Sequence, residues 1–210
     1  MALLSLGKYK YVLRPSKALL QRPLKPLTDT LNSFGAHVNL TNDGIFIQGP
    51  LNFANLPKEI SIETMSSTQF ASALAMALHM RNIKVTSKDQ HGALGYFTIT
   101  ENLISEFIAG KTNFTVPADF SSASYPLALA ALNGQATLSN ISCLDSFQPD
   151  SKFVTLLKDM GAEISLNKDG LTIRKSSLRP FNVDISPFPD IALTLVFLAS
   201  FINGMSSILN

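Results

Sequence analysis

Tryptophan is absent from this 210-residue chain, and cysteine occurs once, at Cys143. A single cysteine cannot form an internal disulfide, which excludes the disulfide-stabilised secreted domains and favours a cytoplasmic protein. We interpret Cys143 as a small buried hydrophobic residue. The longest apolar run, residues 191–202, is too short to span a bilayer, so we expect a buried helix there and no membrane insertion.

Charge is also scarce, since charged residues make up 15% of the chain, the net charge is +2 and no basic block occurs. This distribution argues against nucleic-acid binding. The histidines are scattered without the spacing of a zinc motif, and no phosphate-binding loop, dinucleotide fingerprint or nucleophile elbow occurs. The residues alone therefore indicate neither a metal site nor a dinucleotide-binding site.

What the chain does contain is an internal repeat. Residues 27–47 and 153–173 align without a gap at an offset of 126, with coincident Gly-Ala and Asp-Gly pairs. Each copy predicts an amphipathic helix that ends at glycine and is followed by a β-hairpin around the Asp-Gly turn. In the second copy, Asp150 or Ser151 is placed to cap the start of the helix.

A second module recurs as a serine-rich turn and an alanine-rich helix, at 66–78 and 121–132, with a looser copy at 189–200. It predicts a strand, a polar turn, a buried helix and another strand, with serine and threonine as helix caps and Pro126 in a first turn. The strand before the second copy is predicted at 114–116. Together the two modules predict an α/β (α+β) fold of a few compact units.

Candidate chemistry is concentrated at the starts of the helices. Backbone N–H groups attract anions there, so Ser67, Thr68 and Gln69 can hold a phosphate or can simply cap a helix. The Arg22 guanidinium can bind a carboxylate or a phosphate with two hydrogen bonds. Alternatively, Arg22 is an ordinary solvent-exposed residue ahead of a helix. Asp190 can cap its helix or accept a proton from a hydroxyl group. The residues alone leave these alternatives open.

Five segments, in chain order, resemble motifs of the 5-enolpyruvylshikimate-3-phosphate (EPSP) synthase family. LLQRPLKPLTDTLNSFGA resembles the region around the family's K-E-R-P motif, and SSTQFASALAMAL resembles V-S-S-Q-F-x-x-A-L-L-M-A. The most specific match is FTVPADFSSASYPLALAAL, which is similar to V-x-G-D-x-S-S-A-S-Y-F-L-A-A-A. SFQPDSKFVTLLKDMGAEI resembles Q-G-D followed by L-x-x-M-G-A, and VDISPFPDIALTL resembles D-M-x-x-x-P-D-A-A-M-T.

The resemblance implies an enolpyruvyl transferase-like architecture of two domains with repeated βαβαββ units and buried helices. It places residues 1–117 in a partial first domain and 118–210 in a partial second domain, incomplete at both ends. It also implies a reaction in which phosphoenolpyruvate gives its enolpyruvyl group to the 5-hydroxyl of shikimate 3-phosphate, without a metal or organic cofactor. Because other catalytic motifs of the family do not occur in this sequence, we expect the chain alone to be inactive.

Roles for substrate-binding residues follow from the same resemblance. Arg22 corresponds to the family arginine that contacts phosphoenolpyruvate. Ser67 and Thr68 correspond to the serine pair that holds the 3-phosphate of the acceptor, and Gln69 to the glutamine between the two substrates. Tyr96 matches the tyrosine of the family's S-K-P-Y motif.

Asp190 corresponds to the family's acidic residue at the 5-hydroxyl, the expected catalytic proton acceptor. Ala93 replaces the serine of S-K-P-Y, which removes one phosphate contact, and Pro149 replaces the glycine of Q-G-D. Two alternatives remain. One is the related transferase acting on UDP-N-acetylglucosamine, which lacks both serine-rich motifs. The other is a non-catalytic binding module of the same fold, which the lost hydroxyl at Ala93 favours.

Overall fold

A computed structural model of the chain describes residues 1–63, 68–88, 94–141 and 147–209. Three residues singled out from the sequence, Ser67, Ala93 and Cys143, lie outside these ranges. Within the described part, no helix combines the length and the apolar character needed to cross a membrane. Nor do the described residues gather three His, Cys, Asp or Glu side chains as a metal site.

The chain divides into two compact units, residues 1–90 with 100–109, and residues 91–99 with 110–210. The first unit and the helix that follows it contain the elements β1 (Lys10–Leu13), α1 (Lys17–Leu20), α2 (Lys25–Ser33), β2 (His37–Thr41), β3 (Gly44–Gln48), β4 (Glu59–Glu63), α3 (Gln69–Leu78), β5 (Lys84–Lys88) and α4 (Leu94–Ile108). α4 contributes its first residues to the second unit and the rest to the first. The division predicted at residue 117 stays a prediction.

The remaining elements of the second unit are α5 (Phe120–Asn133), β6 (Gln135–Leu138), α6 (Lys152–Asp159), β7 (Glu163–Asn167), β8 (Gly170–Arg174), β9 (Asn182–Asp184), α7 (Ala192–Ala199) and β10 (Ser207–Leu209). Among the described residues, each unit has one three-stranded antiparallel sheet, in the order β1-β3-β2 or β6-β8-β7, and one parallel pair, β4 with β5 or β9 with β10. In both parallel pairs a helix connects the strands, α3 in the first and α7 in the second.

The predicted repeat of helix and hairpin is confirmed in register. The hairpins β2-β3 and β7-β8 occupy positions that differ by the offset of 126 found in the sequence. Gly35 and Gly161 follow the two helices with φ of 93° and 101°, a left-handed conformation that favours glycine. The residue after each glycine donates its N–H back to a helix carbonyl at 3.1 Å and 2.8 Å. The glycine that ends each helix therefore determines this part of the fold.

The strand predicted at 114–116 is wrong, since residues 111–119 form no regular structure. Val116 is 88% exposed, whereas Ala118 and Phe120 nearby are buried. The apolar residues of this segment therefore anchor the start of α5 instead of a sheet. β6, which the module did predict, pairs antiparallel with β8 and completes the second copy of the three-stranded sheet.

The start of α5 also differs from the prediction. Its cap is Asp119, whose Oδ1 accepts from the Ser121 amide at 3.0 Å and whose Oδ2 accepts from the Ser122 hydroxyl at 2.5 Å. The two serines are therefore inside the first turn and do not cap the helix. Because the helix begins at Phe120, Pro126 lies in its interior, where proline removes one backbone hydrogen bond. The prediction that Pro126 belongs to the first turn is wrong.

The core of the second unit forms where α5, α6 and α7 pack together and against β8. Leu127, Leu157 and Leu195, one from each helix, are fully buried, and burial of each such side chain contributes about 1.5–3 kcal/mol. Burial is one-sided on α7, since Leu193 and Val196 are exposed. This core fixes the starts of the three helices, where the polar residues of the second unit lie.

Candidate functional site

A buried carboxylate lies at the centre of the polar residues in the second unit. Asp150 is 1% exposed and belongs to a 3-10 turn, Pro149–Ser151, that leads into α6. Its Oδ2 accepts hydrogen bonds from the Tyr96 hydroxyl at 2.6 Å and from the Ser121 hydroxyl. Its Oδ1 is buried and has no hydrogen-bond partner among the described residues. Asp150 thereby joins residues from the starts of α4, α5 and α6.

The prediction that Asp150 or Ser151 caps α6 is wrong. Ser151 occupies the cap position of α6 but makes no side-chain cap bond, and the preceding 3-10 turn also lacks one. The physical reason is that the Asp150 carboxylate points to the hydroxyls of Tyr96 and Ser121, which are stronger competitors than an exposed backbone amide.

Gln148 holds the segment that carries Asp150. This side chain is 8% exposed, and its Nε2 donates to the Ala118 carbonyl at 2.7 Å. Its Oε1 accepts from the Phe120 amide at 3.0 Å. Both polar atoms of the Gln148 side-chain amide therefore bond to the backbone at the start of α5. These two hydrogen bonds fix the distance between the 3-10 turn Pro149–Ser151 and the first turn of α5.

Gly95 allows the first turn of α4 to approach the same segment. A Cβ at position 95 would lie 2.3 Å from the Phe147 carbonyl oxygen and 2.9 Å from the Pro149 ring. Real Cβ atoms do not reach such distances, so a larger residue here would displace the backbone. The absence of a side chain at Gly95 thus places the adjacent Tyr96 within reach of Asp150.

Tyr96 combines a held hydroxyl with an accessible ring, since the residue is 38% exposed. Burial of its phenol raises the pKa of Tyr96 well above its ordinary value, and the hydrogen bond to Asp150 raises it further. The charges of Asp150 and Asp190 act in the same direction, while the Ser121 hydroxyl lowers this pKa. Tyr96 is consequently a neutral hydrogen-bond donor over the physiological pH range.

Asp190, the predicted proton acceptor, is exposed in the 3-10 turn Pro189–Ile191 at the start of α7. Neither this turn nor α7 has a side-chain cap bond, so the alternative in which Asp190 caps its helix is not what the structure shows. Its charge acts on Tyr96. A buried hydrogen bond of 3.0 Å between Thr194 and Ser124 ties α7 to α5. Two predicted site residues, Tyr96 and Asp190, therefore lie in the same compact unit.

The other predicted residues belong to the first unit. Arg22 is exposed in the turn between α1 and α2, and its guanidinium has no hydrogen-bond or ion-pair partner among the described residues. Thr68 is at the cap position of α3 but makes no side-chain cap bond, and Gln69 is exposed in the first helical turn. Ser67, the other member of the predicted phosphate pair, lies outside the described residues.

Sequence reasoning assigned no function to Asp150, Ser121 or Gln148. A signal was present, because Gln148 and Asp150 are the two polar positions retained from the Q-G-D motif. Their roles depend on partners far away in the chain: 54 residues separate Tyr96 from Asp150, and 28 separate Phe120 from Gln148. No local pattern reports such contacts.

The chain matches a family model and is similar to curated proteins. A family model described as EPSP synthase (3-phosphoshikimate 1-carboxyvinyltransferase) matches residues 105–210. The 3-phosphoshikimate 1-carboxyvinyltransferase of Buchnera aphidicola subsp. Baizongia pistaciae is 30% identical over 230 residues, covering 100% of this chain and 54% of the relative. The enzyme of the same name from Syntrophobacter fumaroxidans is 31% identical over 232 residues, covering 100% of this chain and 55% of the relative. The chain spans about half the length of the curated relatives that it matches.

Solved structures share the fold at lower sequence identity. EPSP synthase from Acinetobacter baumannii superimposes with a TM-score of 0.64 at 20% identity, over 99% of this chain and 53% of the other. The enolpyruvyl transferase NikO from Streptomyces tendae gives a TM-score of 0.62 at 17% identity, over 95% and 52% of the two chains. The predicted enolpyruvyl transferase-like α/β architecture is thereby confirmed.

Proposed function

Because the chain belongs to the EPSP synthase family, we propose that it carries part of the substrate site of a 3-phosphoshikimate 1-carboxyvinyltransferase. The proposed reaction transfers the enolpyruvyl group of phosphoenolpyruvate to the 5-hydroxyl of shikimate 3-phosphate and releases phosphate. The observation that carries the proposal is that Asp190 is an exposed carboxylate that caps no helix, in the same compact unit as Tyr96.

In the proposed site Asp190 accepts the proton of the attacking 5-hydroxyl. A general base needs an accessible carboxylate within hydrogen-bond reach of the proton that it removes. Asp190 meets the first requirement, since it is exposed and is not engaged as a helix cap. Tyr96 binds the acceptor substrate beside it, because part of its ring is accessible while its hydroxyl is held by Asp150.

Both substrates are anions, so the site also needs cations and hydrogen-bond donors. Arg22 suits the binding of phosphoenolpyruvate, because its guanidinium is exposed and unpaired among the described residues and can contact a carboxylate or phosphate with two donors. Thr68 suits the 3-phosphate together with Ser67, because its hydroxyl is not used as a helix cap. Gln69 completes the proposed set between the two substrates.

The test uses the 210-residue chain and two acceptors. Calorimetric titration with shikimate 3-phosphate should give binding that Asp190→Ala and Thr68→Ala weaken, whereas UDP-N-acetylglucosamine should not bind. Phosphate release in the presence of phosphoenolpyruvate should be undetectable, because the chain lacks other catalytic motifs of the family. Binding of UDP-N-acetylglucosamine alone would indicate the related transferase. Binding of neither acceptor would favour the non-catalytic module. Phosphate release that Asp190→Ala abolishes would show that the chain is active by itself.

A further inference from the structure

α7 begins without the side-chain bond that commonly fixes the start of a helix. Neither the turn Pro189–Ile191 nor α7 itself has a side-chain cap bond. The core contacts of α7 come from apolar side chains such as Leu195 and Leu198, which are fully buried. Such contacts are non-directional, so they define the rotation and axial position of a helix less sharply than a hydrogen bond does. The position of Asp190 at the start of the helix therefore depends on directional contacts.

Thr194 makes a directional contact between α7 and α5. Its hydroxyl oxygen lies 3.0 Å from that of Ser124, and the two residues are 3% and 1% exposed. Thr194 has no other side-chain hydrogen-bond partner among the described residues. The Ser124 hydroxyl also lies 2.7 Å from the Ser121 carbonyl oxygen. Because a carbonyl has no proton to give, Ser124 donates to Ser121 and accepts from Thr194.

The Thr194 hydroxyl has a local alternative that the structure does not use. A buried hydroxyl must keep a hydrogen bond, and a threonine in a helix can keep one by donating to the carbonyl four residues earlier. For Thr194 that carbonyl belongs to Asp190. The hydroxyl donates instead to Ser124, 70 residues away in the sequence. The bond therefore connects two helices, and it leaves the Asp190 peptide group undisturbed by this side chain.

The helix that receives this bond is itself held in place. Ser124 belongs to α5, whose first turn is fixed by hydrogen bonds to Gln148 and Asp150. α5 also lies against the turn Pro189–Ile191. Thr194 thus connects the start of α7 to a helix whose own start is fixed.

We propose that Thr194 is a positioning residue that, through its hydrogen bond to Ser124, holds the start of α7 so that Asp190 faces the acceptor substrate. The inference rests on the proposed function, because it assumes that Asp190 contacts the 5-hydroxyl of this substrate. Thr194 is buried and acts only through the position of Asp190. Without the bond to Ser124, the Thr194 hydroxyl can turn to the Asp190 carbonyl, which bends the helix at its start.

The first part of the test needs no ligand. In the ¹⁵N-labelled 210-residue chain, the backbone amide signals of Asp190 and Ile191 report the conformation of the turn at the start of α7. We expect Ser124→Ala to shift both signals, although Ser124 is remote in sequence, because it frees the Thr194 hydroxyl. Thr194→Val should shift them as well. Thr194→Ser, which keeps the hydroxyl, should shift them much less.

Thr172→Val is the matched control. Thr172 is also buried, and its hydroxyl pairs with that of Thr137 at 2.9 Å in the sheet of the same unit. This variant should leave the two amide signals unchanged. Unchanged signals in folded Ser124→Ala, or equal shifts in Thr172→Val, would overturn the proposal. If Ser124→Ala does not fold, equal shifts in Thr194→Val and Thr194→Ser would overturn it.

The second part measures whether Thr194 acts through Asp190. We expect Thr194→Val to weaken shikimate 3-phosphate binding about tenfold in calorimetric titration, a loss typical of a hydrogen bond to a charged group. Thr194→Ser should bind nearly as well as the unaltered chain. Added to Asp190→Ala, Thr194→Val should weaken binding no further, since its effect requires the carboxylate. Multiplied losses in the double variant would indicate a general structural role and would overturn the proposal.

The positioning role and the proposed function fail in different ways. If the unaltered chain does not bind shikimate 3-phosphate, the proposed function fails for this chain, while the amide signals still decide whether Thr194 holds the start of α7. If the chain binds shikimate 3-phosphate and Thr194→Val binds it equally well, the proposed function stands and the positioning role is overturned.

Discussion

The two copies of the helix-hairpin repeat differ most where the helix begins. At the offset of 126, Arg22 corresponds to Gln148, Pro23 to Pro149 and Leu24 to Asp150. The hairpins that follow pair their strands in the same register. In the first copy the polar side chain is an exposed guanidinium, whereas in the second Gln148 and Asp150 are buried and hydrogen-bonded.

This difference shows that the repeat determines the backbone structure, whereas individual side chains determine the polar contacts at the start of each helix. The shared part is a backbone frame: a helix, a left-handed glycine and a hairpin. The side chains at the helix start are not constrained by that frame. One copy therefore presents a cation to solvent, and the other holds Tyr96 and the start of α5.

The largest expected change in stability comes from substituting the glycines of the two hairpins, which tests whether both copies share the same backbone structure. Gly44 and Gly170 begin the second strand of each hairpin with positive φ, and a Cβ would lie 2.4 Å from the Leu13 carbonyl oxygen and 2.2 Å from the Leu138 carbonyl oxygen. Gly44→Ala and Gly170→Ala should each lower the free energy of unfolding by about 3 kcal/mol or more. Urea denaturation measures the loss. Gly134→Ala is the control, since a Cβ there meets no atom within 4 Å. Strong destabilisation in one copy alone would show that the frames are not equivalent.

The next largest change in stability should distinguish the residues at the starts of α2 and α6. Gln148→Ala leaves the Phe120 amide and the Ala118 carbonyl without their buried partners, which should cost about 2 kcal/mol of stability. Arg22→Ala should change stability by no more than about 0.5 kcal/mol, since the side chain is exposed. Thermal melts of the two variants measure this contrast. Equal losses would mean that Arg22 has a structural role like that of Gln148.

A smaller effect concerns the helices of the other repeated module. Asp119 caps α5 through the Ser121 amide, whereas Thr68 makes no side-chain cap bond at α3. Asp119→Ala should therefore cost about 1 kcal/mol of stability, and Thr68→Ala should cost little. The hydrogen bond from Ser122 lowers the pKa of Asp119, so this contribution is present above the ordinary carboxyl pKa and is lost as the pH falls through the lowered value. Denaturation at neutral and acidic pH compares the two variants; a pH-independent Asp119→Ala deficit would contradict the assignment.

The smallest expected effect is the pH dependence of the free energy of unfolding that Tyr96 contributes. The pKa of Tyr96 is raised in the folded chain, chiefly by burial and by the bond to Asp150. The folded state therefore holds this proton more tightly than the unfolded state, and the stabilising contribution is lost as the pH rises above the ordinary phenol pKa of 10.0. Stability measured at pH 9 and pH 11 should fall less in Tyr96→Phe than in the unaltered chain. Identical falls would show that the phenol is not held as described.

The sequence predicted those parts of the fold that are determined by residues close together in the chain. The repeat of helix and hairpin was found because glycine at positions such as Gly35 and Gly161 is required by local backbone geometry. The strand at 114–116 was wrong because an apolar triplet does not reveal whether a partner strand is available. The start of α5 was misplaced because the cap is Asp119 and not a serine.

The candidate site was predictable only in part. Tyr96 and Asp190 were identified by resemblance, and both belong to the second unit. Asp150 was missed because its importance comes from burial and from two partners distant in sequence. A carboxylate next to proline at a helix start has the same local pattern as an ordinary cap, and only the tertiary fold distinguishes the two.

The close approach of Gly95 to Pro149 has an evolutionary consequence. In the motifs that this chain resembles, proline precedes the tyrosine in S-K-P-Y, and glycine stands between glutamine and aspartate in Q-G-D. Here the two residue types are exchanged, with Gly95 before Tyr96 and Pro149 between Gln148 and Asp150. A Cβ at position 95 would meet the Phe147 carbonyl oxygen at 2.3 Å and the Pro149 ring at 2.9 Å, so Gly95 leaves room for this segment. Restoring the family's proline at position 95 of this chain would therefore displace the segment that leads to Asp150, so the glycine and that segment are retained or lost together.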